Sequence, residues 1–319
     1  MNAIGVDVGG TKIAAGVVTP QGKILKEVRY PSSGPPEVLL GNIVRAVREV
    51  GRGVDGVAAV CLAVPGLLVS SEDRVAFSPN LRTIENIPLR EALEPEIGLP
   101  LTVENDANAA AWGEFRFGAG SEVDHLLCVT LGTGVGGGVI SHGVLLRGAQ
   151  GAGGELGHVT VHATGPRCAC GNRGCLEAMC SGTAIARYAR VVAAKRPDSA
   201  LGRLAVRRRI IGEDVTELAR RGDRAALSVL EEAGTWLGIG LAGFVNVFNP
   251  EVVAVGGAVS VAGELILAPA RREIALRARP PSRDLVRVKE ATLGPESGVL
   301  GAAALARDPE SGEYVFGPG

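Results

Sequence analysis

A chain of 319 residues is long enough to bury more than one core, so two lobes are expected rather than one. Its formal net charge of −1, from 33 basic and 34 acidic residues, offers neither a basic face for nucleic acid nor an acidic tail. No apolar run is long enough to span a bilayer, and the opening Met-Asn-Ala-Ile-Gly-Val-Asp is not a secretory signal, so a soluble cytoplasmic protein is expected.

In chain order, Ala3 to Val8 is an apolar run, followed by strand-like Lys12 to Val18 and Ile24 to Tyr30, with glycine or Pro-Gln-Gly turns between them. Glu37 to Gly51 reads as helix and Gly56 to Ala63 as a buried strand ending in Val64-Pro65-Gly66. Leu101 to Glu104 reads as a strand running into an Ala-rich helix over Ala107 to Phe115. His125 to Leu131 and Gly137 to Ser141 form a strand pair around a glycine turn. Residues 213 to 248 read as one long helical stretch broken by Asn249-Pro250. Val252 to Val255 is a strand ending at Gly256-Gly257, and Glu296 to Ala306 is a closing helix.

Two turns share one design. Asp7-Val-Gly9-Gly10-Thr11-Lys12 and Leu131-Gly132-Thr133-Gly134-Val135-Gly136-Gly137-Gly138 each join a strand to a returning strand through glycines and a threonine. Without side chains such a backbone approaches a phosphate closely, and its N–H groups and the Thr hydroxyl donate to the oxygens. Neither is a Walker loop, because the Gly-Lys-Ser/Thr ending that opens a helix is missing. Neither is a dinucleotide fingerprint, because a strand and not a helix follows. Asp7 ahead of the first turn is placed to hold Mg²⁺ through water.

Asp106, in Glu104-Asn105-Asp106-Ala-Asn, stands at a strand-to-helix junction, where it is either an N-cap or an ionised base ready to take a proton from a hydroxyl. Asn105 beside it is placed to orient that hydroxyl. Further on, Gly154-Glu155-Leu-Gly-His158 precedes Cys168-Ala-Cys170-Gly-Asn-Arg-Gly-Cys175-Leu-Glu177. Three cysteines and a histidine at this spacing close a tetrahedral zinc site. His162 is the competing histidine, and the Glu-x-x-His spacing favours His158. Cys61, Cys128 and Cys180 sit among apolar residues and read as core. The basic run from Arg203 to Arg209 reads as a solvated helix face or loop.

The order of these motifs resembles the ROK family of bacterial sugar kinases, and within it the ROK glucokinases most. The resemblance implies an actin-like ATPase (ribonuclease H-like) α/β fold with nucleotide and sugar meeting in a cleft between two lobes. A small lobe would cover residues 1–115, with a C-terminal helix at about 297–315 packing back on it, and a large lobe 116–296 would carry the zinc knuckle. The implied reaction is ATP-dependent phosphorylation of a hexose at its C6 hydroxyl, glucose first, with mannose, N-acetylglucosamine and N-acetylmannosamine as alternatives. Asp106 would be the general base. Asn105, Glu155, His158 and Glu177 would bind sugar hydroxyls, with Asn80 of Pro79-Asn80-Leu81 and the Gly66 backbone beside them.

Asp7, Gly9, Gly10, Thr11, Lys12, Gly132, Thr133, Gly134, Gly136, Gly137 and Gly138 would receive the phosphates of ATP with Mg²⁺, and Gly256 and Gly257 would lie under the adenosine. Structural Zn²⁺ would rest on His158, Cys168, Cys170 and Cys175. A homo-oligomer, dimer or tetramer, is implied, with no nucleic-acid or membrane partner. The family's sugar-sensing repressors form a second class, and they carry an N-terminal DNA-binding domain ahead of the first phosphate turn. Here that turn begins at residue 7, which favours the enzyme.

Overall fold

The computed structural model describes residues 1–78 and 81–308. It opens with β1 (Asn2–Val8), β2 (Lys12–Val18) and β3 (Ile24–Pro31), then α1 (Pro36–Gly51) and β4 (Val57–Val64). A short hairpin of β5 (Leu67–Val69) and β6 (Arg74–Phe77) precedes α2 (Leu89–Ile97), β7 (Leu101–Asn105) and α3 (Asp106–Phe117). Next come β8 (Leu126–Leu131), β9 (Val135–Ser141), β10 (Val144–Leu145), α4 (Leu176–Cys180), α5 (Gly182–Lys195) and α6 (Ala200–Arg207). The chain continues through α7 (Gly212–Arg220), α8 (Arg224–Phe248), β11 (Val252–Gly256), α9 (Glu264–Arg277), α10 (Ser282–Leu285) and β12 (Arg287–Glu290), and α11 (Ser297–Arg307) follows.

Two mixed sheets carry the architecture, ordered β3-β2-β1-β4-β7 and β10-β9-β8-β11-β12. In the first, β1, β2 and β3 are antiparallel neighbours, while β4 pairs parallel with both β1 and β7. The central parallel strand β4, Val-Ala-Ala-Val-Cys-Leu-Ala-Val, is a continuous apolar run, as a strand flanked on both sides in a covered sheet must be, whereas β7 ends on the polar Glu104 and Asn105. The chain divides into two compact units, one of residues 1–128, 138–154 and 291–319 and the other of residues 129–137 and 155–290.

In the first unit, α1 buries Leu39, Ile43, Ala46, Val47 and Val50, a stripe at helical spacing, beside the buried Ile4, Val6, Ile13 and Val17 of the sheet. Helix α11 is buried on every side from Gly298 to Ala306. It sits backbone to backbone with its neighbours: a Cβ on Gly5 would lie 2.0 Å from the Val299 carbonyl oxygen, and one on Gly301 would lie 1.7 Å from that of Ala109. In the second unit β11 is wholly buried, and α8 buries Ala233, Leu237, Leu241 and Val245 among others. Cys61, Cys128 and Cys180 are core residues as expected, and burial pushes the Cys61 thiol up to about 12.

One expected helix is two. The stretch read as continuous from 213 to 248 breaks after Arg220, because Gly222 takes a left-handed φ of 84° and Asp223 caps the next helix by accepting from the Ala226 N–H at 2.8 Å. Helices α2, α5, α6 and α9 and strand β12 were not assigned from the sequence. Among the described residues, no helix is long and apolar enough to cross a membrane.

Candidate active site

In the first unit, the β1–β2 turn closes with the Gly9 N–H donating to the Lys12 carbonyl at 2.8 Å, leaving Gly10, Thr11 and Lys12 exposed. Asp7 stands at the end of β1, with Gly298 of α11 so close that a Cβ there would lie 2.8 Å from its carboxylate. Burial pushes the Asp7 carboxyl above its ordinary range, against the pull of the Lys12 ammonium.

At the β7–α3 junction the capping residue is Asn105, and Asp106 is the first residue of the helix. The Asn105 Oδ1 accepts from the Ala107 and Asn108 N–H groups at 2.9 and 3.0 Å, and its Nδ2 donates to the Gly66 carbonyl at 3.0 Å. One amide proton therefore remains for a ligand, so Asn105 can donate but its oxygen is already committed. Gly66 has a φ of 117°, and a Cβ there would meet the Phe77 carbonyl oxygen at 2.3 Å. The Asp106 Oδ1 accepts from the Ala107 N–H at 2.8 Å. Asn80 lies outside the described residues.

Glu104, quoted in the sequence motif without a role, is the buried support of this junction. Its Oε1 accepts from the Asn105 N–H and the Asn108 Nδ2, and its Oε2 accepts from the Arg147 Nε at 2.6 Å. Arg147 lies 43 residues away in sequence, so nothing local announces the pair.

The second unit carries the other group. The β8–β9 turn exposes Thr133 between half-buried Gly132 and Gly134, whereas Gly136, Gly137 and Gly138 belong to β9, the first half-buried and the last two buried. That narrows the phosphate-facing stretch expected from the sequence, because buried strand glycines serve close packing. The turn rests on α5, where the Gly182 N–H donates to the Gly132 carbonyl and the Thr183 hydroxyl to the Thr133 carbonyl, both at 2.8 Å. Gly256 ends β11, and Gly257, with a φ of 88°, approaches the Leu131 carbonyl too closely for any side chain.

His158, Cys168, Cys170 and Cys175 bring their ligand atoms within 4.8 Å of one another. The Cys170 and Cys175 sulfurs are 3.7 Å apart, and the His158 Nδ1 is 3.7 Å from the Cys168 sulfur. A tetrahedral zinc with Zn–S bonds of about 2.3 Å sets its sulfurs about 3.8 Å apart, so these residues fit that ion. The His158 Nε2 points the other way, 4.0 Å from the Glu155 carboxylate. His162 stacks on Trp236 at 5.2 Å between ring centroids and stays out of the cluster. Glu177 touches both features, its Oε2 accepting from the Val135 N–H at 3.1 Å and its Oε1 from the Cys168 thiol at 3.3 Å. Burial, reinforced by the Glu177 charge and opposed by His158, holds the Glu155 carboxyl above its ordinary range.

Beside the β8–β9 turn lies a cavity of about 790 Å³, walled by Gly132 and Thr133, by Thr183, Ile185 and Ala186 of α5, by Ile210 and Ile211, and by Ala258 and Val259 just after Gly257. Its wall joins these apolar and hydroxyl groups to the charged Arg190, Glu213, Glu217 and Arg220, a mixture that suits a heterocycle with polar substituents. Thr183 was missed from the sequence, although Ser181 capping a helix at the Ala184 N–H is a start signal that could have found it. Arg209, the last of the basic run, also reaches this wall.

Residues 3–309 match the family model described as the ROK family. The chain belongs to the ROK family. A glucokinase of Thermotoga maritima is 39% identical over 97% of this chain and 98% of its own length. The crystal structure of a ROK family glucokinase from Streptomyces griseus, in complex with glucose and AMPPNP, superposes with a TM-score of 0.84 at 41% identity, covering 96% of this chain and 99% of that one. The family also contains regulators: the xylose repressor of Bacillus subtilis is 30% identical, and the match covers 96% of this chain but 77% of the repressor. The α/β architecture of this ROK protein is the actin-like, ribonuclease H-like fold expected from its sequence.

Proposed function

We propose that this chain is a glucokinase, transferring the γ-phosphoryl group of ATP to the C6 hydroxyl of glucose with Asp106 as general base. The observation that carries the reading is Asp106 itself, a carboxylate on the first residue of α3 whose capping neighbour Asn105 is tied to Gly66, in a chain as close to glucokinases as 39% over nearly its whole length. Its likeness to the repressor is weaker, at 30%.

Asp106 accepts the proton of the sugar hydroxyl as the oxygen attacks the γ-phosphorus, and ADP leaves from the opposite side. Phosphoryl transfer asks the protein chiefly for alignment and for neutralising charge. The free amide proton of Asn105, the Gly66 backbone, Glu155, the His158 Nε2 and Glu177 orient the hydroxyls. Gly10, Thr11 and Lys12 and the Thr133 and Gly134 N–H groups donate to phosphate oxygens, the Gly9 and Gly132 N–H groups being spent on closing their own turns, and the cavity beside Thr183 takes the adenosine. Asp7 would hold Mg²⁺, which would supply further positive charge at the phosphates. His158, Cys168, Cys170 and Cys175 would hold Zn²⁺, which would supply a rigid cross-link beside Glu155 and Glu177. A cytoplasmic homo-oligomer, dimer or tetramer, completes the reading. Val247, Leu276 and Leu285, exposed on α8, α9 and α10, supply apolar surface for association.

A coupled ADP-release assay against glucose, mannose, N-acetylglucosamine and N-acetylmannosamine, run beside Asp106→Asn, tests this. Glucose-dependent release that the variant abolishes is the expected result. Saturable sugar binding without turnover on any sugar would move the chain to the sensor class.

A further inference from the structure

Glu177 lies in a segment that begins on a zinc ligand and ends on the phosphate turn. From Cys175 the chain passes directly through α4 to Gly182 and Thr183, and three hydrogen bonds leave it for the β8–β9 turn. Gly182 N–H and Thr183 hydroxyl hold the near side of the turn at Gly132 and Thr133, each at 2.8 Å. The Glu177 Oε2 holds the far side at the Val135 N–H, at 3.1 Å. The fit is close: a Cβ on Gly134 would stand 2.3 Å from that same oxygen, and a Cβ on Gly157 would stand 1.9 Å from the Val135 carbonyl. The other Glu177 oxygen accepts from the Cys168 thiol at 3.3 Å; with zinc on a Cys168 thiolate that bond is lost, and the link to the ligand set runs through the first turn of α4, which Cys175 caps two residues before Glu177.

We infer that Glu177 is a positioning residue for the nucleotide, a strut that transmits the order of the zinc knuckle to the phosphate turn. This rests on the proposed kinase reading and goes beyond a sugar-ligand role. A carboxylate has two oxygens and several lone pairs, so it can serve a sugar hydroxyl and a backbone N–H together. The turn closes on itself through the Gly132 N–H and the Gly134 carbonyl at 2.9 Å, and the Val135 N–H anchors its far end to Glu177, so the direction of the Thr133 and Gly134 N–H groups depends on that anchor as well. Nucleotide affinity is then coupled to the knuckle through this side chain, even with no sugar present.

The test is calorimetric titration of sugar-free protein with Mg-AMPPNP, with zinc content measured on every sample. Glu177→Asp keeps the charge and shortens the reach; Glu177→Gln keeps the reach and an acceptor oxygen but loses the charge. The strut requires Glu177→Asp to weaken AMPPNP binding about tenfold, the worth of a lost hydrogen bond to a charged group, and Glu177→Gln to stay within about threefold of wild type. Stripping zinc with a chelator weakens AMPPNP binding in wild type and has a smaller effect in Glu177→Asp, because the path is already cut. Glu177→Asp binding like wild type, Glu177→Gln weakened as much as Glu177→Asp, or an equal effect of zinc removal in both proteins would each overturn the inference. Wild-type protein that binds no nucleotide would overturn the kinase reading and this one with it. Wild-type binding with any of those three results overturns this one alone.

Discussion

Asp106, the proposed base, stands as the first residue of a helix that its neighbour caps. That neighbour, Asn105, takes the capping bonds from Ala107 and Asn108. Asp106→Asn should keep glucose and nucleotide affinity within a few-fold while turnover falls by about a thousandfold or more, as expected for a removed general base. Near-normal turnover would remove Asp106 from that role. Asp7 is a different case, because burial raises its carboxyl above the ordinary range. In the interval between its unfolded and folded values the native state binds more protons than the unfolded one, so stability falls as pH rises through that interval. Asp7→Asn removes the cost of the buried charge. It should raise Tm at pH 8 by on the order of 2 °C, with a smaller gain near pH 4, and lower turnover. Equal gains at both values in a calorimetric series would refute the burial account.

Among elements, the knuckle and α11 depend on different physics. At the knuckle the buried Cys168, Cys175 and Ala178 form a small cluster of their own, and the proposed zinc would act there as a cross-link. Cys170→Ser, or chelation, should lower thermal stability and glucose affinity together. Unchanged melting and unchanged glucose binding after verified zinc loss would end the structural-zinc reading. Helix α11 combines buried side chains, Val299, Leu300 and Leu305 among them, with close backbone contact at its glycines. Gly301→Ala would force a methyl into the Ala109 carbonyl, at 1.7 Å in the unrelaxed geometry, and should cost about 2 kcal/mol or more in urea unfolding. At this scale the sequence was legible where period and punctuation agreed. It put the strand at Lys12 to Val18 and the helix after Asn105 in place, and it set Asn249-Pro250 as the end of α8, where Asn249 takes a φ of 47°. It hid the break at Gly222, because the apolar spacing continues across it. It left α5 and α9 unassigned, because no motif drew attention to their ordinary helical patterns.

Over the whole molecule, glucose binding should register as stability. At about one hundred times its dissociation constant, a ligand that binds only the native state adds about 2.7 kcal/mol. Scanning calorimetry should therefore show a clear rise in Tm with glucose and a smaller one with N-acetylmannosamine at equal concentration. The opposite order would reassign the sugar. What the sequence determined by itself was the chemistry that is local in the chain: the two glycine turns, Asp106 at a helix start, and four zinc-type ligands within eighteen residues, His158 to Cys175. Such groups are legible because a turn, a cap or a ligand spacing constrains residues that are neighbours along the backbone. Only the tertiary structure decided that Arg147 secures Glu104, that Asn105 spends its oxygen on the helix, that Gly137 and Gly138 are packing residues, and that Glu177 bonds Val135. Those partners stand two to forty-three residues apart, and the longer pairings are set by how sheets and helices pack, which no spacing along the chain encodes.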